Sequence, residues 1–351
     1  MKFKIFTITA LASALFLGSC TNENDGEKSL GAYDHGIFII NEGGFQKANA
    51  EISFVTNDFV TLQNSLFSVN NPGKLLGDTA QDFKTNGDLG YIVMDGSSTI
   101  QIVNRYSFKS VATIDKDLKN PRYIVFANGK GYVTNWGNGN DATDDYVAVV
   151  NLETNTIESK IPVAEGPEKL IVYNNKLYVA HKGGFSTGQT VSVIDISTSK
   201  VTATIAVGDS PSNIEENQGV IYVLCNGKAA WTGSETAGKL QKINPSTNTV
   251  SATFDFALAS HPAEMDIENN KLYFTQSKNV FVMNPSDTAL PTKALFTTTF
   301  GVYGFAVKGN TVYLGDAGDY SSNGKMYTYD TNGTLLKNVT VGINPNGFCF
   351  N

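Results

Sequence analysis

One short strand pattern recurs down the chain and narrows what it can fold into. "KGYVTN" begins at Lys130, "KLYVAH" at Lys176, "VIYVLC" at Val220, "KLYFTQ" at Lys271 and "TVYLGD" at Thr311. With looser copies at Phe38 and Tyr91, the strand aromatics are Phe38, Tyr91, Tyr132, Tyr178, Tyr222, Tyr273 and Tyr313. Their spacings are 53, 41, 46, 44, 51 and 40 residues. Self-similarity at such a period is the mark of a repeat architecture, in which each unit buries its apolar face against the next. Two further marks share the register. Pro121, Pro167, Pro211 and Pro262 each stand eleven residues before a repeat Tyr. "NLETNTI" from Asn151, "DISTSKV" from Asp195 and "NPSTNTV" from Asn244 place an Asn or Asp where a side chain can cap a tight turn. Alternating runs flank these turns, as in "VSVIDI" and "KVTATIAV", and a period of two means strand.

One unit therefore reads as strand A after the Pro, strand B at the aromatic, strand C before the Asx turn and strand D after it. Seven units of four strands predict an all-β fold, a seven-bladed β-propeller with four-stranded blades. A stack of sandwiches would not explain seven matched registers. Closure of the ring is also predicted. Gly36–Asn41 matches a strand B with no strand A before it. Near the C-terminus, "VGINP" matches the start of a unit and "NGFCF" supplies a strand A with no strand B after it. Gly347–Phe350 is thus expected to pair with Gly36–Asn41, so that one blade joins the N- and C-terminal strands and the ring keeps no open edge.

The first residues belong to a different class. Lys2 and Lys4 precede a short apolar run that ends in Leu17-Gly18-Ser19-Cys20. The run reads as a signal h-region rather than a membrane span. The ending resembles a bacterial lipobox, which makes 1–19 a lipoprotein signal peptide and Cys20 the lipidated residue. The polar, acidic stretch that follows predicts a flexible tether over 20–35, with the propeller over 36–351. It also resembles the acidic export signal that Bacteroidota surface lipoproteins carry after the lipidated Cys. The expected localisation is the outer membrane, held by the lipid anchor alone and exposed at the cell surface.

Removal of residues 1–19 takes away two lysines and no acid. That leaves 24 basic against 33 acidic side chains, a net charge of −9. Only Arg105 and Arg122 are arginines. Such a surface excludes nucleic acid as a partner, because that affinity rests on cationic phosphate contacts. Cys225 and Cys349 fall in distant blades and are expected as buried free thiols rather than a disulfide.

The two faces of the ring differ. The A–B turns are short and rich in Asn-Gly and Asn-Asn, the chemistry of a type I′ hairpin. The B–C loops are longer. They include "NEGGFQKANAE" from Asn41, "NWGNGNDATDDY" from Asn135, "HKGGFSTGQ" from His181, "CNGKAAWTGSETAG" from Cys225 and "DAGDYSSNG" from Asp316. Function is expected on this elaborate face. Phe45, Trp136, Phe185, Trp231 and Tyr320 sit on five of its loops, and both tryptophans of the chain are among them. An aromatic there can serve as a ligand contact or fold back to plug its own loop. Arg122, at the mouth of a strand A, is the one cation expected to touch a ligand. Asn41, His181 and Tyr303 complete the expected ligand-binding set. Asp141, Asp144 and Asp145 lack the spacing of a calcium loop and read as a solvated acidic loop. No metal site and no catalytic residue is expected. There is no G-x-S-x-G or H-E-x-x-H motif, and a propeller lactonase would need an acid–base or metal-ligand set that cannot be assembled here.

The repeat resembles the YVTN-type propeller repeat, with "GYVTN" at Gly131–Asn135. Three longer segments carry a more specific resemblance: "GIFIINEGGFQKANAEISF" from Gly36, "KNPRYIVFANGKGYVTNW" from Lys119, and "VYLGDAGDYSSNGKMYTYDTNGTLLKNVTVGINPNGFCF" from Val312. Together they resemble the BtuG-like surface lipoproteins of Bacteroidota. That resemblance implies a non-enzymatic protein without a cofactor of its own. It would bind cobalamin or a related corrinoid as cargo and pass it to a TonB-dependent outer-membrane transporter. The alternative is a structural or adhesive propeller that contacts proteins or glycans.

Overall fold

The structure, a computed structural model, describes residues 29–351. The leader, Cys20 and the start of the expected tether lie outside these residues. Seven four-stranded antiparallel sheets make up the described chain, in the predicted order. Each repeat aromatic sits in the second strand of its blade. Phe38, Tyr91, Tyr132 and Tyr178 are fully buried. They reach across to the next blade: Tyr91, Ile100 and Ile102 of blade 2 pack with Ile124, Val133 and Ala148 of blade 3. The core is thus a ring of seams between blades, and each buried large apolar side chain contributes about 1.5–3 kcal/mol. Isolated blades would have no core at all.

Closure follows the predicted pairing. Pro345–Phe350 lies antiparallel to Gly36–Asn41, with Ile37 opposite Phe350, Phe38 opposite Cys349 and Ile39 opposite Phe348. The Asn351 amide N–H donates to Gly36 O at 3.0 Å or less (2.9 Å). Ile37, Ile39 and Val55 then pack on Tyr313, Met326 and Val341 of blade 7, which seals the ring. Both ends of the propeller chain therefore lie on the economical face. Cys225 and Cys349 are buried free thiols, as expected.

Turn chemistry accounts for that face. Asn128-Gly129, Asn174-Asn175 and Asn269-Asn270 all have positive φ, as a type I′ turn requires. At the C–D turns Asn151 Oδ1 accepts from the N–H groups of Glu153 and Thr154 at 2.9 and 3.0 Å. Asp195 Oδ1 likewise accepts from Thr198 N–H at 3.0 Å.

Pro262 stands three residues before its strand, but in blades 3, 4 and 5 the repeat Pro opens strand A, where a missing N–H costs nothing. The ladder slips immediately after it, between Pro121 and Ile124, Pro167 and Leu170, and Pro211 and Asn213. Blade 2 has the same slip after Ala80. A bulge re-aims the residues it releases. Here they are Gln81, Arg122, Glu168 and Ser212, and all four line the central cavity.

Three features depart from expectation. The tether predicted to run to residue 35 ends sooner: Tyr33 is buried, its N–H donates to Tyr106 O at 3.1 Å, and its ring packs edge-on to Phe54. Tyr33 supplies an apolar face to the blade 1–2 seam, and polar neighbours in the sequence hid it. Blade 1 has only a two-residue fourth strand, Leu62–Gln63, followed by a short helix, Leu66–Asn70. Leu66 and Phe67 of that helix complete the seam. Blades 2 and 6 have tight B–C turns, at 95–98 and 277–278, so the elaborate face is elaborate on five blades only.

Candidate binding face and channel

The B–C and D–A loops surround the mouth of a central cavity of about 730 Å³. Its upper wall carries two polar clusters. Arg122 grips Glu168 with two bonds, Nε to Oε2 at 3.1 Å and Nη2 to Oε1 at 3.0 Å. Its Nη1 donates to Asp95 Oδ2 at 2.7 Å. Across the mouth, Tyr303 Oη donates to Glu42 Oε2 at 2.6 Å, and Asn346 Nδ2 donates to Glu42 Oε1 at 2.8 Å. Burial raises the Glu42 and Asp95 carboxyls above their ordinary range, while Arg122 and Lys182 hold Glu168 below it against its own burial. Lower down, Lys169 Nζ donates to Glu264 Oε2 at 2.8 Å and to Asn213 Oδ1.

The expected site residues divide by burial. Phe45 (77% exposed), Phe185 (76%), Trp231 (88%) and Tyr320 (61%) stand out from the loops of blades 1, 4, 5 and 7. None of these four plugs its loop. Trp136 is half-buried instead: its Nε1 donates to Pro167 O at 3.1 Å, and the Arg122 guanidinium lies 4.2 Å from its ring centroid. Phe185 meets Trp136 edge-on at 6.1 Å, and Tyr320 meets Tyr303 edge-on at 5.6 Å. Two aromatic pairs therefore reach the polar residues of the mouth, while Trp231 and Phe45 stand exposed on loops of the same face with no aromatic partner among the described residues.

Two expected contacts do not reach the mouth. Asn41 is 1% exposed, and its amide donates inside its own blade to Ile39 O, Glu51 O and Ser53 Oγ at 3.2, 3.1 and 3.0 Å. His181 is 1% exposed and shares a 2.8 Å hydrogen bond with Ser192 Oγ. Burial pushes its imidazole down to about 4, so it is neutral. Both are last residues of a strand B, and side-chain alternation turns them inward. Arg122 does line the cavity, but its guanidinium is occupied by Glu168, Asp95 and the Trp136 face. It builds the floor.

Glu42, Asp95, Glu168, Tyr123, Lys169 and Asn346 were not among the expected residues. The repeat Pro was the signal that could have found most of them. Arg122, Glu168 and Asn346 all follow such a proline directly, and Tyr123 and Lys169 come one place later. Two carboxylates of the acidic loop, Asp141 and Asp144, are exposed as expected, but Asp145, expected to be solvated with them, is 3% exposed because it opens onto strand C of its blade. Asp144 accepts from Asn138 N–H at 2.9 and 3.0 Å, and Asp141 accepts from Thr143 N–H at 3.0 Å, so these carboxylates tie their own loop. Among the described residues no group of His, Cys, Asp and Glu is arranged to hold a metal ion. None of their helices is long and apolar enough to cross a membrane.

Fold and mouth together define a seven-bladed β-propeller that presents a loop-built binding surface over a polar channel. Residues 35–346 match the family described as a domain of unknown function, DUF5074, and the chain belongs to that family. No curated protein sequence matches it. Among solved structures it resembles a quinonprotein alcohol dehydrogenase-like protein from Bacteroides thetaiotaomicron, with 15% identity and a TM-score of 0.68 over 91% of this chain and 78% of that one. It also resembles a functionally unknown protein from Desulfotomaculum acetoxidans, with 13% identity and a TM-score of 0.66 over 90% of this chain and 98% of that one. A third likeness is to hydrazine synthase of Kuenenia stuttgartiensis, with 15% identity and a TM-score of 0.61 over 78% and 92%. At these identities the likeness concerns the fold alone.

Proposed function

We propose that the protein is a surface-tethered, non-enzymatic binding protein that captures a corrinoid at the mouth and passes it to a TonB-dependent transporter. One observation carries the reading: four large aromatic side chains, on B–C loops of four different blades, stand exposed on the face at which the polar-walled cavity opens. Two of them reach its lining residues, Phe185 through Trp136 to Arg122 and Tyr320 directly to Tyr303. Isolated exposed apolar residues are ordinary, but aromatics gathered around one concavity mark a contact surface. A corrin is broad, partly apolar and fringed with amides. It suits a wide rim of aromatic edges above donors and acceptors such as Asn226, Asn346 and Tyr303. The BtuG-like sequence segments and the lipobox at Cys20 support the same reading.

Isothermal titration with cyanocobalamin tests it. Saturable binding at one site per chain is expected. Absence of heat, together with binding to a glycan or protein array, would favour the adhesive reading. The anchor has a separate test. Cys20→Ala is expected to move the protein out of the membrane fraction, since a single Cys carries the acyl chains. Continued fractionation with membrane would overturn the lipid assignment.

A further inference from the structure

Below the mouth, one residue of each strand A pairs with the repeat aromatic of its blade: Lys84 with Tyr91, Glu215 with Tyr222 and Asp266 with Tyr273. These positions form one level of the channel. Blades 2 and 5 are three apart in a ring of seven, so Lys84 and Glu215 approach that level from nearly opposite walls. Both line the 730 Å³ cavity, and Lys84 also lines a second cavity of about 320 Å³ that continues the channel past Phe348 and Phe350.

Neither is tied down by a direct bond, although the nearby Asp82 carboxylate holds the Lys84 ammonium above its ordinary range. Several other charged groups of the wall have partners, while among the described residues Lys182 near the mouth and Lys308 near the far end make no side-chain bond either. Arg122 holds Glu168 and Asp95, and Lys169 holds Glu264. Asp82 Oδ2 accepts from Ile124 N–H at 3.0 Å, and Asp266 Oδ2 accepts from Val307 N–H at 2.7 Å. Among the described residues neither Lys84 Nζ nor the Glu215 carboxylate has a hydrogen bond or an ion pair within the protein. Blades 3 and 4, which separate them on one side of the ring, present Val125 and Ile171 at that level. A cation and an anion that share one level of the channel without an ion pair between them have the shape of a site for a molecule that bridges them.

We propose that the channel is a second ligand site, separate from the mouth. It takes a small zwitterion whose carboxylate meets Lys84, whose ammonium meets Glu215 and Asp266, and whose apolar body lies against Val125 and Ile171. The environment of Glu215 agrees. Burial and the neighbouring Asp266 push its carboxyl up to about 7, against the opposing charges of Lys169 on the preceding blade and Lys84 across the channel. An incoming ammonium would relieve that cost.

Calorimetric titration of the full chain at about pH 8 with glycine, γ-aminobutyrate and ε-aminocaproate tests the proposal, with butylamine and butyrate as single-charge probes. At least one zwitterion is expected to bind with a Kd near or below about 1 mM, at least about tenfold more tightly than either single-charge probe. Affinity should fall as pH drops through about 7 and Glu215 gains its proton. Lys84→Gln and Glu215→Gln should each weaken binding about tenfold or more with the melting curve preserved, and Trp231→Ala in the mouth should leave it unchanged. The exchange variant, Lys84→Glu with Glu215→Lys, should restore binding, because an ω-amino acid can lie the other way round. Three results would overturn the proposal: no heat with any of the three zwitterions, butylamine binding as tightly as γ-aminobutyrate, or affinity indifferent to both single substitutions. Cobalamin titration reads the mouth independently, so failure of one site does not imply failure of the other.

Discussion

The two tryptophans illustrate how one residue type on one face can serve opposite ends. Trp136 lies over Arg122 and donates to the backbone of the next blade. Its indole shields an ion-pair cluster in which a single guanidinium offsets one buried and one half-buried carboxylate, and removing the shield weakens that cluster. Trp231 stands 88% exposed on the short 3₁₀ turn Ala230–Thr232 and supports nothing in its own chain. Alanine at the two positions should therefore separate. Trp136→Ala is expected to cost about 1–3 kcal/mol of stability in denaturant unfolding. Trp231→Ala should leave unfolding within about 0.5 kcal/mol of the parent and weaken corrinoid binding by about 1–2 kcal/mol. The reverse pattern would mean that the exposed ring is the structural one.

At the level of the strand and turn, the repeat made most of the fold legible. Aromatic spacing fixed the strand B positions, Asx turns fixed the C–D connections, and the orphan half-units at either end disclosed the closing pair. What remained hidden was governed by direction rather than by pattern. Asn41 and His181 sit beside loops in the sequence, yet each is the last residue of a strand and points inward. Period two tells which residues alternate, but not which of the two sides a strand's final residue shares with its blade. Strand A concealed more, because the bulge after each Pro breaks the alternation and turns Arg122 and Glu168 toward the channel. The closing strand offers the direct test at this scale. Deleting 346–351 removes the pairing of Phe350, Cys349 and Phe348 with the first strand, and with it the Asn346–Glu42 bond at the mouth. A fall in melting temperature of more than about 10 °C is expected. An unchanged melting curve would mean that the ring does not depend on its joint.

The whole molecule combines a stiff ring with a channel and mouth rich in buried carboxylates, and this gives its stability a definite pH dependence. The carboxyls of Glu215 and Asp145 are both pushed up to about 7, chiefly by burial. A carboxyl whose pKa is higher in the folded than in the unfolded chain binds an extra proton when folded. Its contribution is therefore greatest below the unfolded value and declines as pH rises through about 7. Asp145→Asn is accordingly expected to raise stability by about 1–2 kcal/mol at pH 8 and to change it little at pH 4, as read by denaturant unfolding. Equal effects at both pH values would show that the carboxyl titrates normally in the fold.

Capture of a corrinoid at the mouth remains the central claim, and Trp231 is its natural reporter. Trp136→Phe leaves Trp231 as the only tryptophan of the chain. Corrins absorb across the near ultraviolet, so a corrin seated on the rim should quench that single indole. Titration of this variant with cyanocobalamin is predicted to give saturable loss of tryptophan emission beyond the inner-filter effect, with one site per chain. A decrease explained wholly by the inner filter, linear in added cobalamin and identical for free tryptophan, would contradict the assignment of the mouth as a corrinoid site.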